Sequence, residues 1–136
     1  MKSPKVYLTD AGLLHTLLGL GTMEDLERHP KIGASWEGFA LQEVARHLGV
    51  LREDCFFWRT HTGAELDLLI VRGRRRLGFE FKRTDAPAVT ASMRTALADL
   101  RLDRLDIVHA GKRTFPMGTR IRAVALERLL DDIEPL

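Results

Sequence analysis

The chain has 136 residues, 45% of them apolar and 29% charged, a mixture that suits one globular domain with a core of its own and leaves little room for two. A single cysteine, Cys55, excludes a disulfide framework and a cysteine-based zinc site, and no apolar run approaches the ~18–20 residues of a membrane-spanning helix. The net charge is only +2, but 16 of the 21 basic residues are Arg, and Arg72, Arg74, Arg75 and Arg76 crowd one short stretch.

In chain order, Lys5 to Leu8 reads as a short extended piece behind Pro4. Thr9 or Asp10 caps a short helix that Gly19 stops after Leu18, and Thr22 caps another that ends before Pro30. Gly33 and Ser35 introduce a stronger helix from about Trp36 to Leu48, closed by Gly49. Three strand-like runs follow, Phe56 to Thr60, Glu65 to Val71 and Leu77 to Lys82, with Gly63 and Gly73 at the connections. A helix is predicted from about Ala88 to Leu100 with Pro87 near its first turn, then strands over Leu105–His109 and Ile121–Leu126, and a short closing helix over Arg128–Ile133. This order of helix, three strands, helix, strand, strand predicts an α/β fold in which helices flank a mixed β-sheet. Residues 1–34 are expected to form a linker with short helices, and 35–136 the compact domain. With no charged-then-apolar leader at its start, the domain is expected to be soluble and cytoplasmic.

Several acidic residues occupy positions where apolar ones are cheaper. Glu37 projects into the helical stripe of Leu41, Val44, Ala45 and Leu48, bordered by Ala40. Asp67 interrupts the most apolar run of the chain, Leu66-Asp67-Leu68-Leu69-Ile70-Val71, whose alternation puts Leu66, Leu68 and Ile70 on one face and Asp67, Leu69 and Val71 on the other. On the next strand Glu80 and Lys82 share a face, about 6.5–7 Å apart. A two-residue turn at Gly73-Arg74, with Gly at the first position of a type II′ loop, sets Asp67 directly opposite Glu80, with Cα atoms about 4.5–5.5 Å apart. Two carboxylates so placed repel unless one is protonated or a cation lies between them. Lys82 is one candidate cation and a divalent metal the other. Oxygen ligands without Cys or paired His favour Mg²⁺ or Mn²⁺ over zinc, and such a metal activates water and neutralises a phosphodiester. Lys82 would orient that water or act as a base.

The five histidines, His15, His29, His47, His61 and His109, show no ligand spacing, and Trp36, Trp58 and Cys55 read as core. Gly111-Lys112-Arg113 lacks the upstream Gly and the hydroxyl of a phosphate-binding loop, so no ATP site or other cofactor-binding loop is expected in this chain. The basic turn of Arg74, Arg75 and Arg76, with Lys112 and Arg113 on a later loop, is suited to a phosphate backbone.

Glu37 on a helix, Gly63-Ala64-Glu65-Leu66-Asp67 and Glu80-Phe81-Lys82 together resemble the PD-(D/E)XK nuclease superfamily, which includes restriction endonucleases and Holliday junction resolvases. The element order from Ser35 to about Leu126 matches that core. Lys2-Ser3-Pro4-Lys5-Val6-Tyr7-Leu8-Thr9-Asp10-Ala11-Gly12-Leu13, Trp36-Glu37-Gly38-Phe39, Thr62 to Asp67 and Phe79 to Arg83 look like a domain of unknown function that follows an AAA+ ATPase and a winged helix in bacterial and archaeal proteins. The resemblance implies a restriction-endonuclease-like core and a metal held by Asp67, Glu80 and the main-chain carbonyl of Phe81. It also implies Lys82 as catalytic lysine, Glu37 as accessory acid, DNA as substrate and an AAA+ module, fused or separate, as partner. A Gln and Tyr pair that some nuclease branches carry on the helix after the lysine is missing from Ala88–Leu100. Two expectations of different class therefore stand: a Mg²⁺-dependent DNA nuclease, and a non-catalytic DNA- or protein-binding module serving an ATPase.

Overall fold

The computed structural model describes residues 32–136, so the extended piece and short helices expected before them lie outside the described residues. Helix α1 spans Ile32–Leu48 and is followed by a 3₁₀ turn at Arg52–Asp54 and three strands, β1 (Cys55–Arg59), β2 (Glu65–Arg72) and β3 (Arg75–Lys82). Helix α2 (Ala91–Asp99), β4 (Arg104–His109), β5 (Phe115–Gly118), β6 (Ile121–Ala125), a 3₁₀ turn at Leu126–Arg128 and α3 (Leu129–Asp132) complete the order. The six strands form one mixed sheet in the order β1-β2-β3-β4-β6-β5. Its β1, β2 and β3 pair antiparallel, β3, β4 and β6 run parallel, and β5 returns antiparallel on β6. The protein is thus α/β, with helices on both faces of the sheet, and no helix among the described residues is long and apolar enough to cross a membrane.

Each face buries its own apolar layer. Ala40, Val44 and Leu48 of α1 pack on Leu68, Ile70, Phe79 and Phe81, and Leu129 and Ile133 close the same layer. Met93 and Ala96 of α2 pack on Leu66, Leu69, Leu105 and Ile107. Apolar side chains on both faces are what a central, doubly covered strand requires.

The β2–β3 hairpin has the predicted register: Leu68 faces Phe79, Ile70 faces Leu77 and Arg72 faces Arg75. Gly73 takes φ +62° while Arg74 does not enter positive φ, the signature of the type II′ turn. The strict alternation expected along β2 fails at one point. Phe56 faces Leu69 and Trp58 faces Leu66, so Asp67 and Leu68 together oppose Phe57 alone. This β-bulge turns Leu66 into the α2 layer with Leu69, while Leu68 and Ile70 stay in the α1 layer. An extra residue in one strand leaves no mark on an apolar run that is buried on both faces.

Other boundaries moved for local reasons. Helix α1 contains Gly33 and Ser35 instead of starting after them, and Ser35 is buried in it. Helix α2 begins at Ala91, later than predicted, because the Thr90 hydroxyl accepts the Met93 N–H and sets the cap there. Strand β5 was not anticipated: Phe-Pro-Met-Gly has no alternation and carries a proline, which an edge strand tolerates.

Two features of the fold carry expected outcomes. A Cβ on Gly78 would lie 2.6 Å from Leu102 Cδ1 and 3.3 Å from Leu66 Cδ2, both in the α2 layer. Gly78→Ala is therefore expected to cost about 1–3 kcal/mol, read as a lower urea midpoint with unchanged slope. Asp106, fully buried on β4, accepts two hydrogen bonds from Arg122, at 2.8 and 3.1 Å, and one from Arg104 Nε at 3.0 Å. Removing the shared carboxylate in Asp106→Ala leaves two half-buried guanidinium groups without it. A loss of about 2–3 kcal/mol is expected by the same measurement. Asp106 passed unnoticed in the sequence because its counter-ions are 2 and 16 positions away on a strand whose pairing was unknown.

Candidate active site

Asp67 and Glu80 lie where β2 and β3 part company. The backbone ladder ends at Leu68–Phe79, and beyond it side chains replace backbone partners. The Phe81 N–H donates to Asp67 Oδ2 at 3.0 Å, and the Asp67 N–H donates to Glu80 Oε1 at 3.2 Å. Each carboxylate is thus fixed by the strand that carries the other. Both residues are only 5% exposed, and neither belongs to an apolar layer.

Lys82, two residues beyond Glu80, sets Nζ 3.9 Å from Glu80 Oε2 while keeping its side chain 44% exposed. Burial, and then the Asp67 carboxylate, push Glu80 from its ordinary 4.5 up to about 8, with the Lys82 ammonium opposing both. Lys82 alone therefore does not neutralise the pair, and the site favours an additional positive charge, whether proton or metal cation.

The donor set fits a hard divalent cation of the Mg²⁺ class, which needs only one or two carboxylates and retains waters. Asp67 Oδ1 and Glu80 Oε2 are the oxygens not engaged by the two backbone N–H groups. In extended backbone a residue's C=O points to the same side as its N–H, so the Phe81 carbonyl faces β2 with the N–H that Asp67 accepts. Among the described residues, no group of three or more His, Cys, Asp or Glu side chains comes together as a ligand cluster. Glu37 sits half-buried in α1, within about 20° of the Ala40–Val44–Leu48 line at 100° per residue. It belongs to the helix that covers Phe79 and Phe81, but it does not join Asp67 and Glu80 in such a cluster.

The basic residues divide between the two ends of the sheet. Lys82 pairs with His109 at the carboxyl end of β3 and β4, and Lys112 and Arg113 are exposed on the loop that follows. Buried His109 ties that loop down: its Nδ1 accepts the Gly111 N–H at 3.0 Å and its Nε2 donates to the Arg113 carbonyl at 2.9 Å. A second tie runs from the Ala110 N–H to the Thr84 carbonyl. Arg74, Arg75 and Arg76 stand at the other end, Arg75 about 17 Å from Glu80 at five residue steps along β3. The structure brings Lys112 and Arg113 to the acid pair's end of the sheet and takes the arginine turn away from it. His109 had no motif to betray it, since its partners are main-chain atoms.

A mixed α/β sheet with two buried carboxylates and a lysine at the splayed end of a central hairpin is the class of protein that fold and site define. The chain belongs to the family described as Domain of unknown function (DUF4143), whose model matches residues 32–129. It is 47% identical over 129 residues, 95% of this chain, to an uncharacterized protein of Mycobacterium tuberculosis, and equally so to one of Mycobacterium bovis. The aligned region spans 29% of the length of each relative. No solved structure matches the chain.

Proposed function

We propose that this domain is a divalent-metal-dependent nuclease that hydrolyses phosphodiester bonds of DNA, built on a restriction-endonuclease-like PD-(D/E)XK core. The observation that carries the reading is the pair Asp67 and Glu80, buried and held at hydrogen-bond distance by each other's strands with Lys82 beside them. Lys82 contacts Glu80 from the same strand, and a second buried carboxylate, Asp67, is tied to Glu80 through backbone N–H groups, an arrangement that brings two acids together where an ordinary ion pair has one. Asp67, Glu80 and the Phe81 carbonyl would hold Mg²⁺ or Mn²⁺, which supplies an activated water and charge neutralisation on the phosphate. Lys82, exposed enough to reach substrate, orients or deprotonates that water. Lys112 and Arg113 receive the flanking phosphates, and Glu37 serves as an accessory acid from α1. The aligned region covers less than a third of the relatives, which leaves room for the AAA+ module that the sequence resemblance implies, and we assign the domain to such an assembly.

The test is calorimetric titration of Mn²⁺ and Mg²⁺ into the parent, Asp67→Ala and Glu80→Ala, followed by cleavage assays on duplex, single-stranded and branched DNA with Lys82→Ala as control. Saturable heat in the parent that vanishes in both variants, and metal-dependent cleavage that Lys82→Ala loses, are the expected results. The second reading is a non-catalytic DNA- or protein-binding module serving an ATPase, and the Lys82–Glu80 contact favours it as an ion pair that needs no metal. Metal silence that persists in the presence of DNA is the result that would establish it and defeat the nuclease.

A further inference from the structure

The arginine turn does not stand alone. Three connections meet at the end of the sheet remote from Asp67 and Glu80: the β2–β3 turn, the α2–β4 link and the β5–β6 turn. Arg76 and Asp103 bind the first two together through two 2.8 Å hydrogen bonds, and the Leu105 N–H donates to the Arg120 carbonyl to join the third. Arg72 and Arg75 face each other directly across the hairpin, a placement of like charges that destabilises a strand pair by itself. Among the described residues no side-chain carboxylate pairs with Arg72, Arg74, Arg75, Arg101 or Arg120, and Arg72 donates only to the Leu136 oxygen, at 3.4 Å. Asp103 is engaged by the Arg76 N–H and Asp106 by Arg104 and Arg122, which leaves Asp99, exposed at the last residue of α2, as the one described acid among five arginines at this end.

A second observation points the same way. The described non-glycine residues with positive φ are Arg101, at +50°, and Arg120, at +63°. Glycine or asparagine suits that conformation better, so both positions keep a long cation against backbone preference. All five arginines are exposed.

From this convergence we infer that the hairpin end of the sheet is a second DNA-backbone contact surface, separate from the acid pair, so that the substrate is a duplex gripped at two places. This rests on the proposed nuclease reading and specifies its substrate. Lys82 and Arg75, seven residues apart on β3, are separated by about 23 Å, the rise of about seven base pairs. The bond to be cut lies at one end of that span and the arginine grip at the other. Such contacts are with phosphates, so they add affinity and salt dependence without sequence preference.

The experiment is fluorescence anisotropy of the full chain on a duplex of about 24 bp, in EDTA, over a salt series. The double variant Arg74→Glu/Arg75→Glu is expected to lose about tenfold or more in affinity and to lower the salt slope by about 2. Arg101→Glu/Arg120→Glu is expected to lose affinity likewise, and Arg74→Lys/Arg75→Lys to retain it. Affinity and slope unchanged in both Glu variants would overturn the inference and leave an acidic protein surface as the partner of these arginines. Mn²⁺ calorimetry on the same Glu variants reports on Asp67 and Glu80 alone, so failure of the arginine surface and failure of the metal site are read separately.

Discussion

Asp67→Asn is expected to abolish metal-dependent cleavage while leaving the protein folded. The cation's share of transition-state stabilisation is several kcal/mol, so losing one of its two carboxylates should lower the rate by at least about a thousandfold. Asparagine is the informative replacement because its side-chain carbonyl still accepts the Phe81 N–H that Asp67 Oδ2 accepts at 3.0 Å. Alanine would strand that buried donor at a cost of about 1–3 kcal/mol and confound chemistry with stability. Lys82→Ala takes a 44% exposed ammonium from 3.9 Å off the buried Glu80 carboxylate, which shifts Glu80 further toward its protonated form and breaks no hydrogen bond of the two strands. Its expected loss of about 10²–10⁴-fold is that of a proton-transfer group, with Mn²⁺ binding retained. Wild-type rates in Asp67→Asn at thermal stability equal to the parent would refute the site.

The second large effect is on stability and reverses the usual sign of mutation. Glu80 is held at about 8 against an ordinary 4.5, chiefly by burial and then by Asp67. Between those values the folded protein binds a proton that the unfolded chain has released, so metal-free stability falls as pH rises. The slope approaches about 1.4 kcal/mol per pH unit between the two values and vanishes above the folded one, where the whole loss is expressed. Glu80→Gln keeps an oxygen for the Asp67 N–H and removes the charge. Its melting temperature in EDTA is expected to exceed the parent's at pH 8, to match it near pH 4, and to vary less between them. Millimolar Mn²⁺ should raise the parent at pH 8 and leave Glu80→Gln unmoved. Parallel pH profiles for the two proteins would show that burial of this carboxylate carries no such penalty.

Much of the site was legible because hairpins obey arithmetic. A two-residue turn at Gly73-Arg74 dictates the pairs from Arg72–Arg75 to Leu68–Phe79, whereas the direct opposition expected of Asp67 and Glu80 gives way to side-chain hydrogen bonds where the strands part. The helices and the mixed sheet were legible from periodicity, although Thr90 overrode Pro87 at the start of α2. What stayed hidden depends on contacts that run between elements. The bulge needed β1 to be laid beside β2, and Asp106 needed β6 beside β4. The separation of the arginine turn from Lys112 and Arg113 needed strand directions: Arg75 begins β3 and Lys82 ends it. Proximity in the sequence had grouped cations that the sheet holds apart.

The bulge at Asp67 and Leu68 also bears on how such a domain changes over evolutionary time. By turning Leu66 toward α2, it completes that apolar layer without the carboxylate, and Glu80 stands outside both layers as well. Loss of either acid to an uncharged residue of similar size therefore opens no hole in the core, and for Glu80 it relieves a burdened position. Chemistry is the less protected property here and architecture the better protected one. On the proposed nuclease reading, lineages that cease to need cleavage would let the acids drift while keeping the sheet, the helices and the basic end intact, so that relatives lacking the acids would accumulate beside those that keep them.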